Sequence, residues 1–231
     1  MKKILALALA VVTVLSLNTG CATVGDGDKT LKGTGIGALA GAAVGAAWGA
    51  ARGDWAKGAM IGAGAGAAIG GVTGAVMDKQ EEDLRKAGIR AERDEAGNLL
   101  ITLTEGSLRF DTGKATIQPQ GKTTLDNLAG VLSKYPENRI AIAGHTDSDG
   151  DAASNLALSK KRAQAVAGYL LTQGVPSRCI ASTMGFGEDK PMADNATPAG
   201  KAKNRRVDMA IGVDEDEAKA NQAEREKYKK K

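Results

Sequence analysis

"RIAIAGHTDSDGDAASNLALSKKRAQAVAGYLLTQG", residues 139–174, reads as strand, loop and helix in succession. The run "IAIA" is short and apolar, as a strand buried on both faces requires. Asp147, Asp149 and Asp151 then crowd a loop beside the chain's single histidine, His145. From Ser154, a residue type that caps helices, the pattern turns helical, and Gly174 followed by Pro176 ends it. On a wheel at ~100° per residue, Leu158, Ala165, Val166 and Tyr169 share one side. Lys160, Lys161, Gln164 and Ala167 fall elsewhere. Arg162 lies inside the apolar stripe, in the row between Leu158 and Val166, with Asn155 and Ser159 upstream on the same side.

The alternation continues on both flanks. "GN" at 97–98 reads as a turn and "LLITL" at 99–103 as a strand. "NLAGVLSKY" at 127–135 has helical spacing, with Pro136 as its stop. "RCIASTMGFG" at 178–187 reads as a strand that buries Cys179 as a small hydrophobe. "NRRVDMAIGV" at 204–213 is the last strand, with Val207, Met209 and Ile211 alternating. The fold class is therefore α/β, a small mixed sheet with helices packed on it, over residues 99–213. Residues 78–98 read as a charged linker. Residues 214–231 read as a charged, solvated and partly disordered tail.

The N-terminal part is of another kind. Lys2 and Lys3 precede an apolar stretch from Ile4 to Leu17. That stretch is shorter than the roughly 20 residues a bilayer span needs, so residues 1–20 read as an export signal. The signal ends at Cys21 after Thr19 and Gly20, which resembles a bacterial lipoprotein signal, although Asn18 stands where that motif carries an aliphatic residue. Lipid on Cys21 and a tether over 21–32 follow from that resemblance. In residues 33–77, Gly33, Gly37, Gly41, Gly45 and Gly49 recur at every fourth position. Gly58, Gly62, Gly66, Gly70 and Gly74 repeat the spacing after "RGDWAK". Four-residue spacing aligns glycines on one helical face, where another backbone can approach closely. Each glycine costs about 1 kcal/mol against alanine in a helix, so packing or lipid must compensate. Trp48 and Trp55 flank the polar turn, as interfacial aromatics do. The expectation is a Gly/Ala-rich helical hairpin at a membrane, able to self-associate into a homo-oligomer. The pattern resembles glycine-zipper segments of bacterial envelope proteins.

Composition excludes several functions. The net charge is +4, without the clustered basic face that nucleic acid demands, and "DEDE" at 214–217 offsets the terminal "KYKKK". A calcium loop needs a glutamate downstream of its aspartates, and a zinc site needs more than one histidine or paired cysteines. Hence no metal and no cofactor is expected. A hydrolase would need a carboxylate pair or a Cys/His pair, yet His145 stands alone and Glu188 follows a turn-like "GFG". The chain does not read as an enzyme.

The buried arginine is the informative residue. A buried guanidinium left without a partner is costly, so Arg162 should meet an acid. Asp147, directly after the strand, is the best placed. Two readings fit such a pair equally: a clip between loop and helix, or a ligand site at a strand's C-terminal end.

"GHTDSDG" with "N..LSKKRA", "GFGEDKP" and "N.T..GKAKNRRV" occur in an order that resembles the OmpA-like domain that binds peptidoglycan. The resemblance covers roughly Leu100 to Val213. It implies a pocket for the diaminopimelate of stem peptides. By motif position Asp147 would take the ammonium and Arg162 would grip the carboxylate in a two-pronged contact. Asn155 would orient the loop or donate to the ligand, Arg205 and Arg206 would lie near the pocket or brace it, and Asp111 of "FDTGKATI" would border it. Lys201 stands where the family often carries arginine. Signal, zipper and domain together resemble the YiaD-type lipoproteins. The implied protein is held in the outer membrane by lipid and by its hairpin, with its C-terminal domain in the periplasm on peptidoglycan. The alternative is a zipper-built membrane oligomer or assembly factor that uses this domain as an anchor.

Overall fold

The computed structural model describes residues 72–229 apart from 95, 96 and 112. The export signal, Cys21 and the glycine ladder as far as residue 71 lie outside the described residues. In chain order the elements are α1 (Val72–Lys86), β1 (Glu92–Arg93), β2 (Leu99–Thr104), α2 (Pro119–Leu132), β3 (Asn138–Gly144), α3 (Ala152–Thr172), a 3₁₀ turn (Ser177–Cys179), β4 (Ile180–Gly185), α4 (Pro198–Asn204), β5 (Arg206–Val213) and α5 (Glu215–Lys229).

The five strands form one mixed sheet in the order β1-β2-β5-β3-β4. β3 and β4 run parallel, joined through α3, and the other neighbours are antiparallel. Because β2 and β3 both oppose β5, they run parallel to each other. Leu99, Ile101 and Leu103 of β2, Ile140 and Ile142 of β3, and Met209 and Ile211 of β5 build the core. Leu125, Leu128 and Leu132 of α2 and Val166 and Leu170 of α3 cover them.

Close approach fixes α3. A Cβ on Gly144 would fall 2.0 Å from the Ser159 carbonyl oxygen, and one on Gly185 would fall 2.4 Å from the Lys160 nitrogen. Glycine at both strand ends lets the helix sit down on β3 and β4, with Arg162 one turn further along. The helix starts earlier than its sequence pattern suggests. Asp151 is the N-cap, accepting from the Ser154 amide at 3.0 Å, rather than Ser154 itself. Likewise α2 begins at Pro119, well before residue 127, because proline suits a first turn whose amide has no helical partner.

Two segments read as lying outside the domain pack onto it. The segment read as a charged linker carries most of α1 and all of β1, and its Leu84 and Ile89 enter the core together with Met77 just ahead of it. Arg93 pairs with Asp78 and Glu81, each at 2.7 Å, and α1 runs through the 77/78 boundary. Within the segment read as a partly disordered tail, Glu215–Lys229 form the helix α5. Ala218 is buried, Arg139 reaches Asp214 at 3.1 Å and Glu217 at 3.3 Å, and Asn221 donates to Glu137 at 3.0 Å. Composition hid this because the partners lie far upstream in β3. Cys179 falls in the 3₁₀ turn ahead of the strand. Burial pushes its thiol up to about 11, which leaves it an inert core group.

Candidate ligand-binding site

Sheet topology gathers the site. Thr104 pairs with Arg206, and Gly144 pairs with both Val207 and Gly185. The residues just after β2, β3 and β4 and just before β5 therefore meet at one sheet edge: Glu105, His145 to Asp147, Phe186 and Arg205. The start of α3 closes the group from above.

A cavity of about 420 Å³ opens there, walled by Glu105, Phe110, Asp147, Asn155, Arg162 and Arg205. Asp147 and Arg162 are each only 7% exposed, so their charges act in a poorly solvated place. They do not pair with each other. Asp147 accepts from Arg205 Nη1 at 2.5 Å, and its other oxygen accepts from the Asp149 amide at 3.3 Å. Arg205 also donates through Nε to Glu105 at 3.0 Å and again through Nη2. Arg205 takes the acid because it leads into β5, the strand paired with β3, while Arg162 comes down from the helix above.

Arg162 has different company. Its Nε donates to the Lys114 carbonyl at 3.1 Å, and its guanidinium lies 5.0 Å from the centre of the Phe110 ring. Among the described residues no carboxylate comes within ion-pair distance of it, and its two Nη groups have no hydrogen-bond partner. The expected pair with Asp147 is thus replaced by two walls facing one space. Burial pushes the guanidinium down from its ordinary value, while the Asp147 charge opposes that and Arg205 adds to it. It stays a cation, held by a carbonyl and a ring and short of negative charge.

The remaining candidates divide. Asn155 ties the acidic loop: its Nδ2 lies within hydrogen-bond reach of the Asp147 carbonyl at 3.4 Å, the Asp149 carbonyl at 3.0 Å and Glu188 Oε2 at 2.6 Å. It orients the loop. Lys201 holds Asp149 at 2.6 Å from the far side. Asp111 accepts from Gln118 at 3.2 Å and tightens the turn that aims Lys114 at Arg162, but it does not line the cavity. Arg206 points away, to Asp208 at 2.9 Å and the Lys190 carbonyl at 3.1 Å. There His145 is buried, with Nε2 3.2 Å from Asp208 and its ring stacked on Phe186. Cys21 lies outside the described residues.

Glu105 and Phe110 escaped the sequence reading. Phe110 opens the quoted stretch "FDTGKATI", where only Asp111 was singled out. Glu105 carried no signal beyond following a strand, and only the parallel course of β2 and β3 makes that position meaningful. Among the described residues no group of acids, histidines or cysteines could hold a metal ion, and no helix is long and apolar enough to cross a membrane.

Residues 109–205 match the model of the OmpA family, and residues 1–78 match that of the YMGG-like Gly-zipper. "Probable lipoprotein YiaD" of Escherichia coli (strain K12) is 40% identical over 139 residues, which are 58% of this chain and 62% of that protein. "Peptidoglycan-binding protein ArfA" of Mycobacterium tuberculosis (strain ATCC 25618 / H37Rv) is 40% identical over 109 residues, 47% of this chain and 33% of that protein. The chain spans less than two thirds of the length of either relative. Among solved structures, a MotB-like protein from Desulfovibrio vulgaris superposes with a TM-score of 0.54 at 22% identity. That match covers 62% of this chain and 93% of the other, and it shows a shared fold.

Proposed function

We propose that this chain, which carries an OmpA-family domain at residues 109–205 behind a YMGG-like zipper segment, binds peptidoglycan without covalent linkage and anchors a membrane to it. The observation that carries the reading is Arg162, a buried cation with no acid in ion-pair reach among the described residues, facing Asp147 across a cavity. Diaminopimelate bears an ammonium and a carboxylate on one carbon. The carboxylate fits the free Nη fork of Arg162 in a two-pronged contact, and the ammonium fits Asp147. Phe110 and Leu158 line the cavity and offer apolar contact for the methylene chain. A binding role is supported by the placement of the nucleophile candidates: His145 lies beside Asp208 away from the cavity, and the Cys179 thiol is buried.

The ArfA name supports peptidoglycan as the partner. Residues 1–20 then direct export, Cys21 carries lipid in the outer membrane, and the hairpin of residues 33–77 associates with the bilayer or with copies of itself. The domain faces the periplasm.

Co-sedimentation of the full-length protein with purified sacculi tests this. Wild type should pellet with the wall, and Asp147→Ala and Arg162→Ala, checked for folding by circular dichroism, should stay in the supernatant. Folded variants that still pellet fully would reject the site.

A further inference from the structure

Resting on the binding function just described, we propose that Arg205 is an internal stand-in for the ligand's ammonium, and that Glu105 is the residue that lets it step aside. The two halves of the site stand in different states. Arg162 donates through Nε to the Lys114 carbonyl, and among the described residues nothing occupies its two Nη groups, which leaves them for an incoming carboxylate. Asp147 has both oxygens engaged, one by the Asp149 amide and one by Arg205 at 2.5 Å. An ammonium reaching Asp147 therefore meets a guanidinium already there and competes with it for the same negative charge.

Glu105 makes that exchange feasible. Arg205 bridges two acids, meeting Asp147 through Nη1 and Glu105 through Nε and Nη2. Released from Asp147, it keeps its contact with Glu105 and is not left unpaired. Arg205 and Glu105 are about one third exposed, so the movement takes place at the cavity mouth and not in the core. Asp147, with its side chain only 10% exposed, stays fixed. The chain thus binds by exchange at the cation end and by simple addition at the anion end. The carboxylate is the primary anchor, and the ammonium refines selection. Arg205 sets specificity by competing with the ligand, and Glu105 is a positioning residue.

Calorimetric titration of the full-length protein with two probes separates the halves. The probes are meso-diaminopimelate and pimelate, the same carbon chain without amino groups. Arg205→Lys keeps the charge but cannot fork between two acids, so it should bind diaminopimelate about five- to tenfold more tightly while pimelate changes by less than about twofold. Glu105→Gln, which removes the resting place, should bind diaminopimelate about fivefold more weakly without weakening pimelate. Both positions are partly exposed, and thermal unfolding verifies that each variant folds; Glu105→Gln decides the matter alone if Arg205→Lys does not. Weaker or unchanged diaminopimelate binding by Arg205→Lys, or equal losses for both probes in Glu105→Gln, would overturn the exchange while leaving the binding site intact. Wild type that takes up neither probe would overturn the binding function itself, and the exchange with it.

Discussion

Arg205 and Arg206 are neighbours in sequence, and they enter two charge clusters of opposite character. Around Arg206 the charges are paired, although Arg206 Nη1 and both His145 nitrogens are buried without a hydrogen-bond partner among the described residues. Arg206, Asp208, His145 and Thr102 meet at 2.9 to 3.2 Å, and Phe186 covers the imidazole. Around Arg205 the cluster is open: Asp147 and Glu105 are engaged, but Arg162 faces the cavity with no acid in ion-pair reach among the described residues. Arg205 still belongs to the turn that closes α4, while Arg206 is the first residue of β5, so one backbone position separates a brace from a binding site. The contrast shows how to tell structural charge from functional charge. A brace closes its own ion pairs, and a site leaves a cation short of one.

The strongest test of the closed side is Arg206→Ala. It strands Asp208 beside a buried histidine and should destabilise the fold by about 3–5 kcal/mol in denaturant unfolding. Loss under about 1 kcal/mol would mean that this cluster is no brace. Arg162→Met tests the open side. It should weaken diaminopimelate binding by roughly a hundredfold, yet leave stability equal or raised by about 1 kcal/mol, because it removes an uncompensated buried charge. A clear drop in stability would place Arg162 with the braces.

A smaller effect separates the clusters by pH. Burial, helped by the Arg206 charge and opposed by Asp208, holds His145 below its ordinary value of 6.5. The unfolded chain then takes up a proton that the folded chain refuses. Stability is full above about pH 6.5 and falls as pH drops below it. Asp208 adds to the loss further down. Burial pushes its carboxyl up, but the His145 contact and the Arg206 charge outweigh that and keep it below 3.8. His145→Gln should flatten the upper part of the slope, read by urea unfolding at stepped pH. Binding by Asp147 and Arg162 should not follow that slope.

Much of this was legible in the residues. Short apolar runs marked β2 and β3, period-two alternation marked β5, and the place of Arg162 in an apolar stripe marked it as buried. The motifs "GHTD", "NRRV" and "FDTG" pointed to the right end of the sheet. Other features were not legible. A tail rich in charge looks disordered until Arg139 is known to lie beneath it. A charged segment looks like a linker until Leu84 and Ile89 are seen to reach the core.

The sequence by itself determined the α/β class, the order of the main elements and the burial of an arginine beside an acidic loop, because local periodicity and side-chain type carry that information. Only the tertiary structure decided which acid meets which base. Asp147 goes to Arg205 and Arg162 goes without, since ion pairing depends on distances across a sheet edge where residues some hundred positions apart, Glu105 and Arg205, lie side by side.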